Sequence, residues 1–358
     1  MSRVVSLNIW LTRVLRTAVS LVISLLLIGT VSCGRQPIVG GADAPATRTA
    51  APTPGFTPPS SSTATLACTS TARPGPRDDA SMAYVAHTGA AVLFGGWSNS
   101  GRNYFDDTWT WQGGCWTLDV VQSAPSSRTA MAMAYDPFRK LVVAFGGRTN
   151  PSTAAFSDET WLWNGQAWSQ AASGPKLGFS WAAFDENLQQ VVLYGPGADG
   201  VGQTWGWDGN HWQQFTGQSP PARTGTAMTF DPSSHRLIMF GGLEIQSLTL
   251  LNDTWAWNGS TWSKLAPAHS PSPRQSAALA SFSARKEVLL VGGNGRDGFD
   301  SDAWIWTGVD WSLTNGVGAR ADAAAIDVGS AVLLFGGDDL TLQRNDVQLW
   351  DGSAWTAG

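Results

Sequence analysis

The chain has 358 residues, of which 14% are charged, with a net charge of −5, 40 glycines and 20 tryptophans. A low, slightly acidic charge balance without a basic stripe excludes a nucleic-acid partner. The apolar, glycine-rich remainder is long enough to bury the core of one large domain.

In chain order, residues 1–33 read as an export leader. Arg3, Arg13 and Arg16 give a positive start, and Ala18 to Gly29 is apolar over the length of a signal-peptide core. The end, Thr30-Val31-Ser32-Cys33-Gly34, resembles a bacterial lipoprotein cleavage site, in which Cys33 becomes the lipidated first residue. The alternative is an uncleaved membrane helix over residues 14–31. Both readings export the rest of the chain to the outer face of the cell membrane or the periplasm. Residues 34–72, dominated by Pro, Thr, Ser and Ala, read as a disordered tether, because such composition buries too little apolar surface to offset chain entropy.

From residue 73 onward the sequence repeats. Trp-x-Gly-x-x-Trp recurs at Trp111, Trp163, Trp207, Trp257, Trp306 and Trp350, at intervals of 52, 44, 50, 49 and 44 residues. A further tryptophan stands two residues ahead in all copies but the last, where Gln348 replaces it, so 17 of the 20 tryptophans belong to the repeat. The Asn164-Gly165 pair predicts a two-residue hairpin turn that pairs Trp163 with Gln166 and Trp161 with Trp168, all three tryptophans on one face. Upstream lie an apolar run ending in two glycines, such as Val142 to Gly147, and before it a strand of small residues, such as Thr129 to Tyr135. Each small-residue strand follows an arginine: Arg77, Arg128, Arg223, Arg274 and Arg320. An acidic residue precedes the tryptophan strand at Asp107, Asp158, Asp253, Asp302 and Asp346. The third copy has lost the arginine, the double glycine and the acidic residue, with Lys176-Leu177-Gly178, Gly195-Pro196-Gly197 and Gln203 in their places.

A period of this length with four strands per unit points to a solenoid or a propeller, and radial repetition leaves only short sheet edges. Arginine, double glycine, aromatic strand and tryptophan strand in that order resemble the Kelch motif, seen in Kelch propellers and in the central domain of galactose oxidase. The resemblance covers residues 73–358 and implies an all-β, six-bladed β-propeller with four antiparallel strands per blade.

Strand alternation puts the loops after the glycines and before the arginines on one face. The longest of these, Trp97 to Phe105 and Leu243 to Leu251, make that face the candidate binding surface. Arg77, Arg128, Arg223, Arg274 and Arg320 would surround the channel mouth there, with Arg148 and Arg296 nearby. Two readings stay open: a guanidinium ring for a carboxylate or phosphate, or structural residues that bond neighbouring backbone or acidic side chains. Phe179 and Trp181 of the third copy are either a pocket wall or drift. Single repeating carboxylates do not converge as a metal requires, and neither metal nor cofactor is expected.

A copper-radical site of the galactose oxidase kind needs two tyrosines and two histidines together. His87, His211 and His235 fall on the tight-turn face, His269 alone on the loop face, and no tyrosine is expected to pair with them. Exported Kelch-like propellers that epimerise sialic acids suggest a second enzymatic reading, with Glu244, Asp297, Asp300 and His269 as proton-transfer candidates. The favoured expectation is a surface-tethered, non-catalytic module that binds a protein or glycan through the loop face; a structural envelope component is the third reading. Cys68 and Cys115 are either a disulfide or two separately buried thiols.

Overall fold

The computed structural model describes residues 72–101, 103–149 and 155–358. The leader with Cys33, the tether and Cys68 lie outside the described residues. Among the latter there is no helix. The chain is all-β and propeller-like, built of successive antiparallel sheets in which strand order follows chain order. The first sheet is Ser81–Val85, Ala90–Phe94, Thr108–Gln112 and Cys115–Asp119, and the same up-and-down path is repeated through to Ala324–Asp327, Val332–Phe335, Val347–Trp350 and Trp355–Ala357. The fourth sheet carries a fifth strand, Arg223–Thr224, and small hairpins such as Trp97–Ser98 with Asn103–Tyr104 cap the loop ends. Both long loops of the candidate face contain paired strands, Trp97–Ser98 with Asn103–Tyr104 in one and Leu243 with Leu250 in the other. Arg236–Glu244 pairs with Leu250–Trp257 across a bulge at Phe240/Gly242, which leaves only Ile245 to Thr249 as the turn.

The hairpin register also differs from the sequence reading. Trp163 faces Trp168 directly and Trp161 faces Gln170, so the loop has four residues rather than two. The reason lies in Asn164, whose side-chain Oδ1 accepts the N–H groups of Gln166 and Ala167 while only Gly165 takes a positive φ. The Trp–Trp pairing survives even where the turn chemistry changes. In the first sheet Gly113-Gly114 make a true two-residue turn, yet Trp111 still faces Trp116.

Each tryptophan plate packs on the preceding sheet. Trp161, Trp163 and Trp168 of the second sheet share a core with Val85, Val92 and Phe94 of the first. A buried indole removes about 200 Å² from water, on the order of 5 kcal/mol before entropy is counted. The polar tips are satisfied across the same seams: Trp168, Trp212, Trp262 and Trp311 donate from Nε1 to Oγ1 of Thr108, Thr160, Thr204 and Thr254, at 3.0, 2.8, 3.0 and 2.9 Å. Trp116 of the first sheet meets Phe335 of the last edge-on, ring centroids 5.1 Å apart.

The first strands of the sheets occupy the middle of the molecule. Ser81–Val85 lies against Ala132–Asp136, which lies against Trp181–Asp185, and so on through Ala227–Asp231 and Ala278–Phe282 to Ala324–Asp327, which lies against Ser81–Val85. Small side chains at these positions let the strands approach one another. Cys115, beside the Gly113-Gly114 turn, is disulfide-bonded.

Candidate functional site

The arginines come first because they repeat. Each turns its guanidinium into its own sheet. Arg77 donates to the Gly95 carbonyl at 2.9 Å and to both oxygens of Asp107 at 2.6 and 2.8 Å. Arg223 does the same with Gly241 and Asp253, Arg274 with Gly292 and Asp302, and Arg320 with Gly336 and Asp346. In the second sheet the acid is Glu159, not Asp158: Arg128 bonds Gly146 and Glu159. Glu159 stands two residues before Trp161 and so shares its face, as Asp107 does with Trp109; the indoles of both tryptophans donate to those carboxylates. All five arginines are at most 2% exposed.

The same residues bind the preceding sheet through their main chain. The carbonyls of Arg77, Arg128 and Arg320 accept the N–H groups of Gly337, Gly96 and Gly293, at 2.9, 2.9 and 2.8 Å. This explains the double glycine. Both members have positive φ, and a Cβ on Gly95 or Gly292 would stand 2.4 or 2.2 Å from the carbonyl oxygen of Arg128 or Arg320. Arginine, acid and glycine pair are thus three parts of one interlock.

Burial pushes the carboxyls of Glu159, Asp253, Asp302 and Asp346 up, but hydrogen bonds from the facing arginines and from Trp161, Trp255, Trp304 and Gln348, with the arginine charge, outweigh it and hold them below the usual carboxylate range. Asp300 goes the other way: burial raises it, Arg274 lowers it, and the neighbouring Asp302 and Asp297 raise it further.

At the loop end, a cavity of about 950 Å³ opens between the sheets. All the first strands contribute to its wall, through Met82, Met133, Trp181, Met228, Leu279 and Ala324 among others. Above them runs a collar of residues placed two after each arginine. Asp79, Ala130, Gly225, Ser276 and Asp322 all have φ between 51° and 60°. The N–H of Ala130 bonds the Asp79 carbonyl, Asp79 bonds Asp322, Asp322 bonds Ser276, and Ser276 bonds Gly225. The collar stops at the third sheet, where the N–H of Gly178 bonds the Pro196 carbonyl instead. There Phe179 and Trp181 face the cavity, Phe179 packed edge-on against Phe156 with centroids 4.8 Å apart.

None of Arg77, Arg128, Arg223, Arg274 and Arg320 is among the residues that line this cavity. Arg148 lines it, and Arg296 is exposed in the turn of the Asn294–Phe299 hairpin, off the cavity wall. What the sequence reading did not single out are Asp78, Asp79 and Asp322 at the mouth, with Asn99, Gln275 and Asn294. Two expectations for histidine change. His87 and Tyr135 do meet, Nδ1 to hydroxyl at 2.8 Å with the rings stacked. His269 turns to the next hairpin, where its ring bonds Asp310 at 2.8 Å, and does not line the cavity. Among the described residues, no group of three or more His, Cys, Asp or Glu is arranged to hold a metal. No protein-family model matches the chain, and no curated protein matches it.

Proposed function

We propose that this chain is a tethered recognition module. On this reading the sheets are the blades of a closed six-bladed propeller of the Kelch kind, exported and held at the membrane by a lipid on Cys33 or by a retained N-terminal helix. It binds a protein or glycan through the loop-end cavity without changing it chemically. Ring closure is supported by the seam between the first and last sheets: the Gly337 N–H bonds the Arg77 carbonyl, the Asp79 N–H bonds Asp322, and Trp116 packs on Phe335. The observation that carries the function is the cavity itself, concave, polar at the mouth and apolar below, walled by every first strand. The five buried arginines belong to the scaffold on this reading, and recognition moves inward to the residues the scaffold surrounds.

The test is an array of peptides and oligosaccharides probed with the full chain in detergent. Specific capture that is lost in Trp181→Leu, with the melting temperature unchanged, is the expected outcome. Capture that is indifferent to Trp181→Leu, or no capture at all, overturns the reading.

A further inference from the structure

The fourth, fifth and sixth sheets are each entered by a linker that meets the sheet's own outer hairpin before it reaches the arginine. In the fourth, the Gln218 carbonyl accepts the Trp262 N–H at 2.8 Å and the Thr261 hydroxyl at 3.3 Å. In the fifth, the His269 N–H donates to Oδ1 of Asp310 at 2.8 Å while the ring pairs with Oδ2; in the sixth, the Trp355 indole donates to the Asn315 carbonyl at 2.8 Å. Gln218, His269 and Asn315 each stand five residues before the arginine of their sheet. Their partners are the tryptophan that opens the outer strand or the residue just before it. The same count in the first sheet falls on Ala72, five before Arg77, and on Cys115 and Trp116.

There the linker's place is held by the last part of the stretch read as a tether. It joins the body where the Asn345 side chain donates to the Pro74 carbonyl at 3.1 Å and the Arg77 N–H to the Arg344 carbonyl at 3.0 Å. Cys115, at the hairpin position that bonds the linker in the other sheets, is disulfide-bonded. The chain has two further cysteines, Cys33 and Cys68. Cys68 is four residues from Ala72, at most about 14 Å of chain, which brings it within reach of the hairpin; a disulfide needs Cα atoms within about 7 Å. Cys33 is 39 residues from Ala72, and lipidation occupies its sulfur. Resting on the export reading above, we propose that Cys68 and Cys115 form a disulfide that clamps the end of the tether to the outer hairpin of the first sheet, where the other linkers use hydrogen bonds. Its formation passes two electrons and two protons from the thiols to a disulfide-bearing oxidant of the exported compartment, which leaves as two thiols.

The consequence is mechanical. An anchor at residue 33 pulls on the chain ahead of residue 68, and the bond delivers that load to the outer strand Cys115–Asp119. The load bypasses Pro74 and Arg77, which join the first sheet to the last, and Asp78 to Met82, which line the cavity. Tension on the tether then leaves both the seam and the cavity undisturbed.

The experiment is peptide mapping of the full chain in detergent, with free thiols alkylated before digestion. A linked pair of peptides containing Cys68 and Cys115, separated by reductant, is the expected result. Alkylated Cys68 and Cys115, a covalent dimer, or a Cys33–Cys115 pair overturns the proposal, and the last removes the lipid anchor as well. A Cys68–Cys115 pair with Cys33 alkylated leaves the clamp standing and removes only the lipid anchor. Cys68→Ser, Cys115→Ser and the double variant should each melt about 5–10 °C below the parent, the double no lower than either single, and reductant should bring the parent to the same value. Melting unchanged by all four treatments overturns the clamp even where the bond is found.

Discussion

The third sheet and the fourth stand side by side and solve the same packing problem with different means. The fourth has the buried Arg223–Asp253 pair, both glycines at positive φ and an aspartate acceptor for the Trp255 indole at 2.7 Å. In the third, Lys176 is exposed, Pro196 takes the place of the second glycine, and Gln203 accepts from Trp205 at 3.1 Å. Proline cannot adopt positive φ, so Gln190–Pro196 runs straight on and pairs through Pro196 with Gly202. Tyr194, where Phe145 and Phe240 stand in the neighbouring sheets, donates its hydroxyl to the Pro221 carbonyl at 2.7 Å and so ties the third sheet to the fourth. Burial raises its pKa. Tryptophan plates are kept in both sheets. The polar interlock can therefore be omitted once, because apolar packing on both neighbours already holds the sheet, and the omission opens the collar at the third sheet, where Phe179 and Trp181 line the cavity as Met131 and Met133 do in the second.

The sharpest way to break this contrast is to remove one cation from each sheet. Arg223→Ala leaves the carboxylate of Asp253 buried without its partner and should cost about 3–5 kcal/mol in denaturant unfolding. Lys176→Ala, on the surface, should stay within about 0.5 kcal/mol. Equal effects would mean that the arginine is not the scaffold element described above.

Glycine substitutions should give the next largest difference. Gly292→Ala meets the backbone carbonyl of Arg320 at 2.2 Å and takes a φ of +60°, and should cost about 2–3 kcal/mol by thermal melting. Gly197→Ala of the third sheet meets only the side-chain ends of Gln203 and Asp199, which can move, and should cost less than about 1 kcal/mol.

Acid should act on the interlocked sheets before the third. The carboxylates of Glu159, Asp253, Asp302 and Asp346 have folded pKa values below their unfolded ones, so their contribution is complete above the unfolded value of about 4 and is lost as pH falls through the folded values. Stability measured from pH 6 down to 2 should fall below about pH 4. Asp253→Asn should flatten that fall. Smallest of all, Thr254→Val removes the acceptor of the buried Trp311 indole and should cost about 1 kcal/mol; Ala303 already stands at the matching position of the fifth sheet.

Much of the fold could be read from tryptophan spacing, because a buried aromatic plate constrains register more tightly than a turn does. That is also why the two-residue turn at Asn164-Gly165 was the wrong inference: asparagine there works through its side chain. Glu159 could have been found by parity, since only a residue two before Trp161 shares its face, and Asp158 does not. The arginines were ambiguous in sequence because periodic arginine suits both an anion ring and an interlock. Their joint disappearance in the third copy, together with the acid and the glycine pair, was the signal that the three act as one device. The cavity had no such signature: its lining comes one or two residues at a time from every repeat, and only the meeting of the first strands gathers Asp79, Asp322, Met228 and Trp181 around one space.

Everything in the functional reading requires that the last sheet close on the first. Hydrogen exchange at the amides of Gly337 and Asp79 tests this most directly, because both bonds span that seam, to Arg77 and Asp322, at 2.9 Å each. Protection comparable to that of Gly96 and Gly293, whose bonds join consecutive sheets, is the predicted result. Exchange at the rate of exposed amides would contradict it, and with it the cavity.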